Sequence, residues 1–146
     1  MGYRIPCLKI TIVREGSIAS DRKQIRCAED AYEIVSSYLA GVDREHVVVL
    51  LLDTKHRITG INTVSVGSLD ASIIHPREVL KPAILANASA ILVAHNHPSG
   101  DPAPSREDIS VTKRLDEACK IVGIDLLDHL VIGDGRYSSI RTLGFA

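Results

Sequence analysis

One run of residues limits the fold more than any other: Glu45-His46-Val47-Val48-Val49-Leu50-Leu51-Leu52-Asp53. It is apolar, β-branched at its start and bounded by charge. Such a run reads as a strand with apolar side chains on both faces, and both faces must then be covered. Ala90-Ile91-Leu92-Val93-Ala94-His95 reads as a second buried strand. Residues at helical spacing predict covering helices over 28–40, 76–88 and 105–122. Gly41 is a natural stop for the first, and Pro76 opens the second at its first turn. Residues 56–69 read as a hairpin partner of the first strand. Residues 124–132 and 136–140 read as a final hairpin turning at Gly133-Asp134-Gly135. Residues 5–14 read as a first strand or extended arm, and 16–27 as a loop. The expected class is α/β (α+β), a sheet layered with helices in one domain.

Composition removes several partners. The chain has 17 Lys+Arg against 18 Asp+Glu, so no global basic field draws nucleic acid or anionic membrane. Aromatic residues are 3% of the chain, too few for a base-stacking platform. Cys7, Cys27 and Cys119 form no CxxC pair, which excludes a zinc ribbon and a thioredoxin-like motif. They read as small buried hydrophobes in a reducing, cytoplasmic setting. The charged N-terminus is not a signal peptide, and no apolar run reaches the ~20 residues of a membrane span. No Walker A loop, serine-hydrolase elbow or deaminase cysteine motif is present.

The chemistry concentrates in His95-Asn96-His97-Pro98-Ser99-Gly100-Asp101-Pro102-Ala103-Pro104-Ser105-Arg106-Glu107-Asp108. His95 and His97, two apart at a strand end, point to the same face and converge as a metal requires. Asp108 lies in the first turn of the third helix, after a proline-stiffened loop that folds back over the strand end. Two His and one carboxylate leave a tetrahedral zinc with one open position, the catalytic arrangement. Ser105-x-x-Asp108 is also an N-capping box, and a carboxylate can serve both purposes. Metal-assisted hydrolysis needs a proton shuttle. Glu45 is the leading candidate, against a strand-end charge facing solvent. Ser105 is a candidate oxyanion donor, against pure capping.

The pattern Glu45 … His95-x-His97-x7-Ser105-x-x-Asp108 resembles the JAMM motif of MPN/JAB-domain metalloproteases. Pro76-Arg77-Glu78, His95-Asn96-His97-Pro98-Ser99-Gly100-Asp101, Pro104-Ser105 and Asp128-His129 resemble its RadC-like branch, from about residue 28 onward. The resemblance implies an MPN/JAB (cytidine-deaminase-like) fold over 28–146, with 1–27 as an N-terminal arm. It implies one zinc held by His95, His97 and Asp108, Glu45 as general acid/base and Ser105 as oxyanion stabiliser. The implied reaction is hydrolysis of a peptide or isopeptide bond in a protein substrate, without a covalent intermediate. The RadC-like branch is traditionally linked to DNA repair, and longer relatives carry an N-terminal helix-hairpin-helix domain for which this chain leaves no room. The alternative reading is a metal-containing binding module in a DNA-repair or mobile-element context.

Lesser candidates stay open at this point. Asp128-His129 interrupts an apolar strand, either as support beside the metal or as a hydrogen-bonded core pair. Asn96 and Asp101 read as loop-shaping residues, and His46, His56 and His75 as surface or strand-edge residues. Arg14, Arg22, Lys23 and Arg26 form a modest basic cluster that reads as solvated surface.

Overall fold

The computed structural model describes residues 2–67 and 74–144. Three helices, α1 (Ala28–Tyr38), α2 (Pro76–Leu85) and α3 (Arg106–Val122), accompany five strands. The strands are β1 (His46–Leu52), β2 (Ile58–Val66), β3 (Ala90–Asn96), β4 (Asp125–Ile132) and β5 (Tyr137–Ser139). They form one mixed sheet in the order β2-β1-β3-β4-β5. β1 is antiparallel to both β2 and β3, β3 and β4 are parallel and joined by α3, and β5 returns antiparallel on β4.

β1 and β3 are buried almost throughout, and their alternate residues feed two cores. On one face Val48, Leu50, Leu52, Leu92 and Leu130 pack against Ala31, Ile34 and Val35 of α1. On the other, Val47, Val49, Ile91 and Val93 pack against Val79 and Ala83 of α2 and Leu115 and Cys119 of α3. Each buried Val, Leu or Ile contributes ~1.5–3 kcal/mol of hydrophobic stabilisation. The unbroken apolar runs therefore code for a sheet between two helical layers. Among the described residues no helix is long and apolar enough to cross a membrane.

The register of β4 against β3 slips by one residue: Ile91 pairs with Leu126, but Leu92 pairs with Asp128. The bulge at Leu127 changes which face each later side chain occupies. Leu126 joins the α3-side core and Leu127 packs on the α1 side. His129, opposite Val93, then returns to the α3 side. Without the bulge it would point at α1.

Three expectations need correction. Of the two readings of residues 5–14, strand or extended arm, only the strand is contradicted: none forms, and Ile5, Leu8, Ile10 and Val13 are exposed. Among the described residues the segment's apolar alternation has no neighbouring strand to pair with, and a lone extended segment gains no ladder to offset its ordering. β2 begins at Ile58, because the Asp53 carboxylate accepts the Lys55 and Arg57 N–H groups, both at 2.9 Å, and makes a turn of those residues. Residues 68 and 69 of that expected strand lie outside the described residues. Cys119 is buried, but Cys7 and Cys27 are exposed.

Candidate metal centre

The centre lies where β3 ends and α3 begins. His95 is the penultimate residue of β3 and is fully buried. His97 follows the strand, but its N–H still donates to the Ile132 carbonyl at 2.9 Å, which extends the parallel ladder by a residue. The two imidazoles therefore share a face, with their Nε2 atoms 3.1 Å apart. The Pro98–Pro104 loop is pinned to the β4–β5 turn. The Asp134 N–H donates to the Gly100 carbonyl at 2.8 Å, and the Ser138 hydroxyl donates to the Pro102 carbonyl. This close approach requires glycine at 133. A methyl group there would fall on the Gly100 carbonyl oxygen and within 2.8 Å of Pro102 Cδ. The pinned loop delivers Ser105 as N-cap of α3 and Asp108 in its first turn.

Asp108 faces both imidazoles, Oδ1 at 3.2 Å from His95 Nε2 and Oδ2 at 3.2 Å from His97 Nε2. Oδ2 also accepts the Ser105 N–H at 2.8 Å, while Ser105 Oγ accepts the Asp108 N–H at 3.0 Å. Burial opposes ionisation of Asp108. While the imidazoles carry protons, the hydrogen bond and charge of His95, the Ser105 N–H and the charge of His97 outweigh it and hold the carboxyl well below the usual carboxylate range; toward neutral rings the Ser105 N–H remains its donor.

The donor set fits a divalent ion. His97 Nδ1 lies 2.9 Å from the Asp101 carbonyl oxygen, which can only accept, so Nδ1 carries the ring hydrogen. In the neutral ring Nε2 then presents a lone pair to a carboxylate and to a second imidazole. A tetrahedral ion with ligands at about 2.0–2.1 Å has ligand–ligand edges of about 3.3–3.4 Å. The observed separations of 3.1, 3.2 and 3.2 Å are close to those edges. One ligand atom from each of the three residues lies within 4.8 Å of the others, a group that could hold a metal ion. His, His and carboxylate together suit zinc and similar divalent metals.

Glu45 immediately precedes β1 and is half-buried. Val47 pairs with His95, so strand alternation places Glu45 on the His95 face, two residues beyond. Its backbone is held from three directions. Asn96 Oδ1 accepts the His46 N–H at 2.7 Å, Asn96 Nδ2 donates to the Arg44 carbonyl at 3.0 Å, and the Glu45 carbonyl accepts the Gly67 N–H at 2.8 Å. Asn96, expected to shape the loop, instead ties the start of β1 to the end of β3. Ser105 is exposed and serves as the cap, and accepting the Asp108 N–H leaves its hydroxyl hydrogen unspent.

The Asp128-His129 pair divides across the sheet. Asp128 Oδ1 accepts the backbone N–H of His129 at 2.7 Å and of Arg141 at 3.1 Å, and Oδ2 accepts the Ser139 hydroxyl at 2.6 Å. It anchors the C-terminal segment. The His129 side chain lies at the metal group instead, Nε2 2.7 Å from His95 Nδ1 and Nδ1 2.6 Å from Thr112 Oγ1. Burial foremost, then the neighbouring His95 imidazole, holds its pKa well below the ordinary value. Thr112 was not singled out from sequence, although it stands four residues after Asp108 and so on the same helix face. His46, His56 and His75 stay outside the metal group. In the basic cluster, Arg22 is committed to Asp30 at 2.9 Å and Glu33 at 2.8 Å.

This geometry agrees with comparison to known proteins. Residues 25–145 match the family model described as the RadC-like JAB domain. The chain is 50% identical over 126 residues to a UPF0758 protein of Desulforamulus reducens, covering 86% of this chain and 56% of that protein. It is 51% identical over 126 residues to a UPF0758 protein of Geobacillus thermodenitrificans, with the same coverage. A UPF0758 protein of Methanosarcina mazei is 46% identical over 131 residues, 90% of this chain and 57% of that one. The chain thus spans little more than half the length of these curated relatives. Matched across its sheet, its helices and its His-His-Asp group, the chain belongs to the RadC-like JAB domain family.

Proposed function

We propose that this domain is a zinc-dependent amide hydrolase of the JAMM type, cleaving a peptide or isopeptide bond in a protein substrate. The convergence of His95 Nε2, His97 Nε2 and the Asp108 carboxylate carries the reading. A divalent ion held by His95, His97 and Asp108 would supply Lewis acidity, to make water a nucleophile near neutral pH and to polarise the scissile carbonyl. Glu45 takes a proton from the attacking water as its oxygen bonds to the carbonyl carbon. It returns that proton to the amide nitrogen as the C–N bond breaks, so a carboxylic acid and an amine leave. The Ser105 hydroxyl hydrogen donates to the developing oxyanion while its oxygen continues to cap α3. Few aromatic side chains are available to grip a substrate, which favours backbone pairing of an extended peptide along a strand edge.

Metal analysis of purified protein and a Glu45→Gln variant test the reading. The expected result is about one zinc per chain in both proteins, and peptide or isopeptide cleavage in the wild type alone. Cleavage retained by Glu45→Gln removes Glu45 from the reaction. Zinc bound without cleavage of any amide substrate favours the binding-module alternative, and absence of zinc ends both readings.

A further inference from the structure

His129 has no part in the reaction as written, yet both its ring nitrogens are engaged beside the centre. The ring is fully buried and stands edge-on to His95, with centroids 4.8 Å apart. Its two hydrogen-bond partners are an imidazole and a hydroxyl, so a charged ring would be buried without a counter-ion in contact. The neutral form has one hydrogen to place, and Thr112 determines where.

Thr112 Oγ1 lies 2.6 Å from the carbonyl oxygen of Asp108, one turn back along α3. A carbonyl only accepts, so the hydroxyl spends its single hydrogen there and offers His129 only lone pairs. His129 Nδ1 must then donate to Thr112. In the neutral ring its Nε2 must accept, and the hydrogen it accepts comes from His95 Nδ1. His95 Nε2 is left with its lone pair directed at His97 and Asp108. A free neutral histidine side chain favours the opposite form, with hydrogen on Nε2, which would point that hydrogen into the centre.

We propose that Thr112 and His129 are positioning residues, a hydrogen-bond relay of fixed direction that holds His95 in the Nδ1–H form with Nε2 ready for a divalent ion. The relay ends on the backbone of Asp108. One residue of α3 thus supplies the carboxylate with its side chain and terminates the relay with its carbonyl. Imidazole ligands of metals are commonly fixed in this way through the nitrogen that does not bind the ion. Here the fixing group is a second imidazole, brought to the α3 face by the bulge at Leu127.

The proposal rests on the metal reading above, and two measurements on the full chain separate the two ideas. Long-range 1H–15N spectra of the metal-free wild type at pH 8 report the tautomer of each ring. Hydrogen on Nδ1 of both His95 and His129 is expected, and hydrogen on Nε2 of either overturns the relay. If the wild type shows these tautomers but takes up no zinc, the metal reading fails while the relay stands. Zinc affinity, from competition with a chromophoric chelator, is the second readout. His129→Phe removes the acceptor but keeps a ring, and should weaken zinc about 10–100-fold. Thr112→Val should weaken it less, and Thr112→Ser should restore wild-type affinity. Wild-type affinity in folded His129→Phe, or a Thr112→Ser as weak as Thr112→Val, refutes the relay. Should His129→Phe not fold, the wild-type spectra and the Thr112 pair decide.

Discussion

The Asp108 carboxylate has two tasks that substitution can separate. Oδ2 caps the start of α3 by accepting the Ser105 N–H at 2.8 Å, while both oxygens face the imidazoles at 3.2 Å. Asp108→Asn retains an amide oxygen for the cap but loses the anionic ligand, whereas Asp108→Ala loses both. In chelator at pH 8, above the ordinary imidazole range, only the cap is read. A lost capping interaction costs about 1 kcal/mol, and about 3–4 °C in Tm for a chain of this size. Asp108→Ala should fall by about that much, and Asp108→Asn by a small part of it. Zinc at a hundred times the wild-type Kd adds about 2.7 kcal/mol, or about 8–11 °C. A variant with hundred-fold weaker affinity gains only about 0.4 kcal/mol from the same zinc. Thermal unfolding by circular dichroism, in chelator and in buffered zinc, resolves all three proteins. A full zinc shift in Asp108→Asn would falsify the carboxylate as ligand, and wild-type stability of Asp108→Ala in chelator would remove its capping contribution.

Asn96→Ala removes both side-chain bonds to the start of β1, at an expected cost of about 1–3 kcal/mol in denaturant titrations. Because those bonds flank Glu45, cleavage should fall further than zinc affinity, and an equal fall in both would show that Asn96 supports the metal group itself. Gly133→Ala forces the site loop off the β4–β5 turn, with a strain of about 1–3 kcal/mol and weaker zinc binding in the chelator competition; unchanged affinity would mean that the pinned loop does not position Asp108. Iodoacetamide at pH 8 should label two thiols in the folded protein and three in denaturant, counted by mass. Cys7 and Cys27 are exposed, while burial, reinforced by Asp116 and Asp125, pushes the Cys119 thiol up to about 11.

Much of the layered fold and the His-His-Asp group could be read from the chain because both depend on local repeats. Unbroken runs at 47–52 and 90–94 demand cover on two faces, and the helical periods supply it. His-x-His at a strand end and Ser-x-x-Asp at a helix start are likewise set by strand alternation and by the first turn of a helix. The remainder depends on pairing partners, which a single segment does not encode. Residues 5–14 have the alternation of a strand but, among the described residues, no neighbouring strand to complete it. Asn96 acts through the backbone at the start of β1, 50 and 52 positions earlier in the chain.

Position 127 shows why the Asp128-His129 pair in particular stayed ambiguous. Leu126 and Leu127 are both apolar, and either suits either core, so the hydrophobic pattern does not mark the extra residue. Regular alternation from Leu126 would place Asp128 on the α3 face, putting a second carboxylate beside Asp108. The bulge turns it toward Ser139 and Arg141 instead, and gives the α3 face an imidazole. A second buried carboxylate would raise the cost of keeping Asp108 ionised through like-charge repulsion. A neutral imidazole adds no charge and can pass a hydrogen-bond direction from Thr112 to His95. The one-residue slip in β4 thus decides whether an imidazole or a second carboxylate stands beside His95 on the α3 face.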